Sequence, residues 1–187
     1  MKPPISLLKS GSTECLLFPS FARDRNWLEQ INSVVKWKQN KIKIFGKVHD
    51  EPRLTEWYGP SYSYSSIHWP EQELPNELIP MVYSVEKIAQ CKFNGFLFNR
   101  YRNGNDGMGW HRDNEKNINQ ECIASLSFGE TRTFKIRHRE SKKTITVHLK
   151  NGDLLLMNNA QEEFEHCISK SKKKLGERIN ITMRVML

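Results

Sequence analysis

From residue 93 to its end the chain is a succession of short apolar-polar runs, and that pattern constrains it more than any other feature. FNGFLFNRY, ECIASLSFG, TRTFKIRHR, KTITVHLKNGDLLLMNN and ERINITMRVML are β-rich and separated by turn residues. Successive side chains of such a run point to opposite faces, so a half-chain built this way must close its sheet into a barrel or double it into a sandwich. Asn151-Gly152, between two of the runs, carries the signature of a hairpin turn. Upstream the period changes. Trp27, Leu28, Ile31, Val34 and Val35 predict an amphipathic helix over 25–36 with Asp24 as its N-cap. Leu78, Val82, Val85 and Ala89 predict a second helix with Pro80 in its first turn. Residues 1–22 read as an irregular entry segment. Two helices followed by strands indicate an α+β fold.

The length of 187 residues suits one domain, residues 1–187. No stretch approaches the ~20 consecutive apolar residues of a spanning helix, and the N-terminus has no apolar run of signal-peptide length. The expectation is an intracellular monomer that makes no use of a membrane, nuclear in a eukaryote or cytoplasmic in a bacterium. Lys and Arg number 29 against 21 Asp and Glu, a net charge of +8. Such a balance favours a polyanionic partner, with a solvated basic surface as the plain alternative. The cysteines Cys15, Cys91, Cys122 and Cys167 are scattered and form no CxxC pair, as expected of reduced thiols.

Two segments carry chemistry. In Gly109-Trp110-His111-Arg112-Asp113 an extended backbone presents His111 and Asp113 together, and His166 follows between strand-like segments as a third ligand. Two imidazoles and one carboxylate leave metal positions open, as in non-haem Fe(II) oxygenases. In Arg178-Ile179-Asn180-Ile181-Thr182-Met183-Arg184 the apolar residues share one face and Arg178, Asn180, Thr182 and Arg184 the other. Guanidinium groups bind carboxylates bidentately, although Arg178 and Arg184 stand about 20 Å apart along an extended strand.

HxD, a distant His and RxNxTxR together resemble the AlkB family of Fe(II)- and 2-oxoglutarate-dependent nucleic-acid dealkylases. Asn99-Arg100-Tyr101 is similar to that family's NxY and Ile123–Gly129 to its core strand. The similarity spans residues 40–187 and is strongest toward eukaryotic-type DNA-repair homologues, especially the duplex-acting branch. It implies a double-stranded β-helix (jelly roll) with flanking N-terminal helices and a β-hairpin nucleotide-recognition lid over 40–70. It also implies that His111, Asp113 and His166 hold Fe(II), that Arg178 pairs with the distal carboxylate of 2-oxoglutarate, and that Asn99, Tyr101, Thr182 and Arg184 complete that pocket. Asn180 braces the strand. With O2 as second co-substrate, the implied reaction removes methyl groups from 1-methyladenine and 3-methylcytosine in DNA, releasing formaldehyde, succinate and CO2. An RNA demethylase of the same chemistry and a catalytically silent nucleic-acid-binding module are the alternatives.

For the nucleic acid, double- or single-stranded, the resemblance points to three places. Phe45, beside Gly46 and among Lys41, Lys43 and Lys47, matches a wedge that fills the stack vacated by a flipped base. The plain alternative is an edge strand guarded by lysines. Tyr62 and Tyr64 match base-lid positions, with Leu97 lining the same pocket. Lys170, Lys172, Lys173 and Lys174 form a basic loop placed to clamp a backbone. Asn114-Glu115 departs from the two acidic residues common after the ligand Asp and leaves base preference open, since Asn114 both donates and accepts hydrogen bonds. Trp57 is expected in the core. His49, His68, His138 and His148 lack ligand spacing, Arg132 and Arg137 are expected on exposed strand faces, and Asp106 and Asp153 in turns.

Overall fold

The computed structural model describes residues 2–44, 46–64 and 67–187. In chain order its strands are β1 (Ile5–Ser10), β2 (Thr13–Phe18), β3 (Lys41–Ile44), β4 (Lys47–Asp50), β5 (Leu54–Tyr58), β6 (Tyr62–Tyr64) and β7 (Ile67–Trp69), then β8 (Gly95–Tyr101), β9 (Met108–His111) and β10 (Ile118–Gly129), and last β11 (Arg132–His138), β12 (Thr144–Leu149), β13 (Leu154–Asn158), β14 (Phe164–Ile168) and β15 (Arg178–Met186). Helices α1 (Trp27–Val34) and α2 (Ile79–Ala89) lie between them. A larger sheet has the order β1-β2-β13-β10-β15-β8-β5 and a smaller one β12-β11-β14-β9, every pairing antiparallel. The two sheets are the doubled arrangement that the strand periodicity predicts, and together they form the jelly roll that the family resemblance implies. No described helix is long and apolar enough to cross a membrane.

The larger sheet is covered on both faces, and alternation assigns each side chain to one of them. Ile179, Ile181 and Met183 of β15 join Phe96 and Phe98 of β8 and Ala124, Leu126 and Phe128 of β10 in a core against the helices, where Trp27 and Ile31 of α1 and Met81, Val82 and Val85 of α2 meet them. The opposite face turns toward the smaller sheet, and the apolar part of that interior includes Leu97, Ile123, Leu155, Phe134 and Ile136. Pro80 does stand in the first turn of α2, where the missing N–H costs nothing.

Four sequence expectations are corrected. Residues 1–22 are not irregular: β1 and β2 extend the larger sheet, β2 pairing with β13, because Cys15 and Leu17 alternate into the interior. Asp24 does not cap α1; Asn26 stands at that position, and its side chain turns to Glu29 Oε2 at 2.7 Å rather than to a backbone N–H. Strands therefore precede the helices as well as follow them. Asn151-Gly152 does not close a hairpin either. The strands on its two sides belong to different sheets, so the turn is a corner of the jelly roll, where Gly152 adopts φ +79° and the Asn151 Oδ1 accepts the Gly129 N–H at 3.0 Å. A dipeptide specifies a tight reversal, and distant pairing partners decide what the reversal joins.

A Cβ on Gly152 would lie 2.9 Å from the Ala22 carbonyl oxygen, in a backbone conformation that L-residues avoid. Gly152→Ala is expected to lower unfolding stability by about 2 kcal/mol, read as a shift in the urea midpoint with an unchanged slope.

Candidate active site

The polar face of β15 forms the floor of the interior cavity, and register explains why. Arg178 stands opposite Tyr101, Asn180 opposite Asn99 and Thr182 opposite Leu97 on β8. On the other side Thr182 meets Ser125 and Asn180 meets Ser127 of β10. Three adjacent antiparallel strands thus send their polar alternates to one surface. Across from it the smaller sheet supplies His111 from the end of β9 and His166 from β14, which are cross-strand partners. All eight residues that the sequence assigns to metal and co-substrate line this one cavity: His111, Asp113, His166, Asn99, Tyr101, Arg178, Thr182 and Arg184. Leu97 and Asn180 line it too.

His111, Asp113 and His166 bring their ligand atoms within 4.8 Å of one another. His111 Nδ1 lies 2.9 Å from the Gly109 carbonyl. A carbonyl only accepts, so Nδ1 carries the proton and Nε2 keeps a free lone pair. The two imidazole centroids are 4.2 Å apart, and the His166 ring also stacks on Phe134. Burial, helped by His111, pushes His166 down to about 3, and burial lowers His111 despite nearby Asp113. Both rings are therefore neutral near pH 7, the form that ligates. Burial pushes the Asp113 carboxyl up, but Arg184 and the two histidines outweigh it and hold it below the usual range. The Asp113 backbone N–H donates to Gln161 Oε1 at 3.0 Å.

The two arginines of β15 have separate work. Arg184 Nη2 donates to Asp113 Oδ1 at 2.6 Å and its Nη1 to the Tyr62 hydroxyl at 3.2 Å. It braces the acidic ligand of the triad, although it lies on the expected cavity wall. Arg178 is fully buried: Nη2 donates to Ser127 Oγ at 2.9 Å, its guanidinium lies over Tyr101 at 5.2 Å, and among the described residues Nε and Nη1 have no hydrogen-bond partner. Burial, with Arg132 nearby, brings it down to about 10, so it remains a cation at neutral pH. A buried cation with two free N–H groups is costly unless an anion meets it. Two neutral imidazoles, one carboxylate and a waiting guanidinium in a single cavity fit a divalent metal and a dicarboxylate. Asn180 braces the strand as expected, its Nδ2 donating to Ser125 Oγ at 2.8 Å and to the Leu126 carbonyl at 3.1 Å.

Several expectations change around this centre. Tyr62 is a core residue rather than an open lid: its ring lies between Trp57 at 4.6 Å and Trp69 at 5.7 Å, and its hydroxyl donates to Glu115 Oε1 at 3.1 Å. The residue is 2% exposed. Trp57 is buried as expected. Within the span 40–70, β5 is an edge strand of the larger sheet, while β3–β4 and β6–β7 form separate two-stranded sheets among the described residues. Phe45 lies outside the described residues, as does the side chain of Tyr64. Gly46 closes the β3–β4 hairpin at φ +80°. Lys47, Lys172, Lys173, Lys174 and Asn114 are exposed, and Lys41 pairs with Asp50. Lys43 and Lys170 line a groove that opens beside His111.

Arg132 is buried rather than exposed, donating to the Asn103, Asp106 and Ser169 carbonyls. Arg137 is half-buried and paired with Glu165. Arg53 and Gln161 are functional neighbours that the sequence does not reveal. Arg53 Nε donates to Asn99 Oδ1 at 2.7 Å while Nη2 pairs with Glu51 at 2.7 Å, tying the base of the β3–β4 hairpin to the cavity. Neither belongs to an alternating run with the site residues, so only packing could expose them.

The comparisons agree with this geometry. The model of the 2OG-Fe(II) oxygenase superfamily matches residues 15–184. The human protein "Alpha-ketoglutarate-dependent dioxygenase alkB homolog 3" is 33% identical over 198 residues, covering 97% of this chain and 69% of that protein. The bovine "DNA oxidative demethylase ALKBH2" is 32% identical over 164 residues, covering 79% of this chain and 58% of that protein. The solved structure of OsALKBH1 superposes with a TM-score of 0.68 over 98% of this chain and 100% of that one; at 14% identity the match bears on fold alone.

Removing Arg184 would strand a buried carboxylate. Arg184→Met is expected to cost about 3–5 kcal/mol in the metal-free protein. Because Asp113→Asn removes the stranded charge, the double variant is expected to be about 2 kcal/mol more stable than the sum of the singles predicts. A urea double-mutant cycle reads this coupling, and additive losses would show that the pair carries none.

Proposed function

The chain belongs to the 2OG-Fe(II) oxygenase superfamily and, within it, to the AlkB dioxygenases, and on that ground we propose that it removes methyl groups oxidatively from 1-methyladenine and 3-methylcytosine in DNA. Its metal is Fe(II) and its co-substrates are 2-oxoglutarate and O2. The observation that carries the assignment of residues is Arg178, a buried cation that lines the cavity with His111, Asp113 and His166 and whose Nε and Nη1 have no hydrogen-bond partner among the described residues. In this reading the triad holds Fe(II), Arg178 receives the distal carboxylate of 2-oxoglutarate, and Asn99, Tyr101 and Thr182 form the pocket walls. When bound, the iron with its co-substrates supplies the oxidising power that hydroxylates an N-methyl carbon, which then leaves as formaldehyde.

The chain's own contribution is placement and dryness. Arg184 fixes the Asp113 carboxylate, and the Gly109 carbonyl fixes the His111 tautomer, so the donor set is preorganised. Apolar walls from Leu97, Met108, Phe134, Met157 and Ile168 exclude water from the reacting centre. The net charge of +8 and the lysines beside the groove support a nucleic-acid substrate. The name of the bovine relative, a DNA oxidative demethylase, supports DNA. The duplex-acting assignment rests on the sequence similarity around Phe45.

Mass spectrometry of single- and double-stranded oligonucleotides bearing 1-methyladenine or 3-methylcytosine tests the proposal. The expected result is restored bases with formaldehyde and succinate in equal amounts, all abolished in His166→Ala. Arg178→Gln is expected to raise KM for 2-oxoglutarate about 100-fold or more, since two charge-assisted hydrogen bonds are lost, with little change in KM for the oligonucleotide. Succinate release without demethylation of methylated DNA, with or without activity on a methylated RNA strand, would overturn the substrate assignment.

A further inference from the structure

Trp110 immediately precedes His111 on β9, an edge strand of the smaller sheet. Its indole is 36% exposed, although nearly every other large aromatic near the site is buried. It is also held in place. The Arg137 guanidinium lies 4.0 Å from its ring centroid, and Glu165 Oε1 fixes that arginine through Nη2 at 2.7 Å and Nε at 2.8 Å. A core role would bury the ring, and the doubly anchored arginine holds this one more firmly than a lone surface cation would. The indole borders a groove of ≈ 450 Å³ also lined by His111, Ile42, Lys43 and Lys170, in which the carboxylates of Asp50 and Glu51 are paired with Lys41 and Arg53.

A rigid aromatic surface flanked by lysines, beside a reactive centre, is the combination that holds single strands: the rings stack bases and the lysines neutralise phosphates. The Arg137 guanidinium over the ring adds a cation–π contact that holds it in place. A base inside a duplex has both faces covered and cannot use such a surface, whereas an unpaired one can. Resting on the nucleic-acid reading above, we infer that Trp110, backed by Arg137, is a stacking station for the unpaired nucleobase adjacent to the base at the metal. It makes the flanking nucleotide part of the substrate, so a methylated strand binds better than a methylated mononucleotide.

The test uses the holoenzyme with Fe(II) and 2-oxoglutarate under anaerobic conditions and two single-stranded oligonucleotides carrying 2-aminopurine on either side of the target base. Binding to the wild type is expected to quench one of the two probes. Trp110→Leu is expected to abolish that quenching and weaken Kd about tenfold, Trp110→Phe to retain most of both, and Arg137→Met to lose part. In turnover, Trp110→Leu is expected to raise KM for a methylated oligonucleotide about tenfold with kcat within twofold, and to leave KM for the methylated mononucleotide unchanged. Quenching that survives Trp110→Leu, or a fall in kcat with KM held, would overturn the inference and reduce Trp110 to a brace for His111. If the wild type neither binds the oligonucleotides nor demethylates them, the nucleic-acid reading fails and takes this one with it. If it does both and Trp110→Leu is indifferent, this inference alone fails.

Discussion

Two guanidinium groups buried on one face of a single strand set the terms for the rest of the molecule. β15 lies between β10 and β8 near the middle of the larger sheet, and its alternation leaves Arg178 and Arg184 inside. A buried charge is tolerated only where partners meet it. Arg184 meets the Asp113 carboxylate and Tyr62 and leaves only Nε without a partner among the described residues, whereas Arg178 meets no carboxylate and donates only to Ser127, leaving Nε and Nη1. Six residues apart on one strand, one arginine is neutralised by a carboxylate of the protein and the other keeps more of its hydrogen-bonding capacity unmet.

The jelly roll is the scaffold that makes this possible. Its two sheets face each other across a narrow interior, so cross-strand neighbours on one sheet look directly at those on the other. His111 and His166 are partners in the smaller sheet, while Asn99, Asn180 and Ser127 lie in line across the larger one. Helices α1 and α2 cover the outer face of the larger sheet, which frees the inner face to be polar. The hairpin β3–β4 and the lysines at the groove then stand where a polyanion would approach His111. Arg53 joins that rim to the interior through Asn99.

Tyr62 shows how packing reassigns a residue. In the sequence it is one of two tyrosines spaced to share a strand face, and a lid is a reasonable expectation. In the fold its ring is held between two tryptophans and its hydroxyl receives Arg184, so it anchors the β6–β7 hairpin to the metal triad. Arg132 moves the same way, from an expected exposed face to a buried position clasping three loop carbonyls. In both, one side chain can satisfy either environment, and only the neighbours decide.

What the chain determines by itself is whatever local periodicity can encode. The alternation of β15 named its polar face, the HxD spacing named two ligands on one run, and the joint motif was specific enough to bring His166 and Asn99-Arg100-Tyr101 into the same site. The tertiary structure alone decided which sheet each strand joins, and so that Asn151-Gly152 turns a corner, that residues 1–22 extend a sheet and that Arg53 and Gln161 hydrogen-bond residues lining the cavity. Pairing between strands far apart in sequence depends on hydrogen bonds and packing that no short window contains, and a side chain's environment follows from that pairing rather than from its own identity.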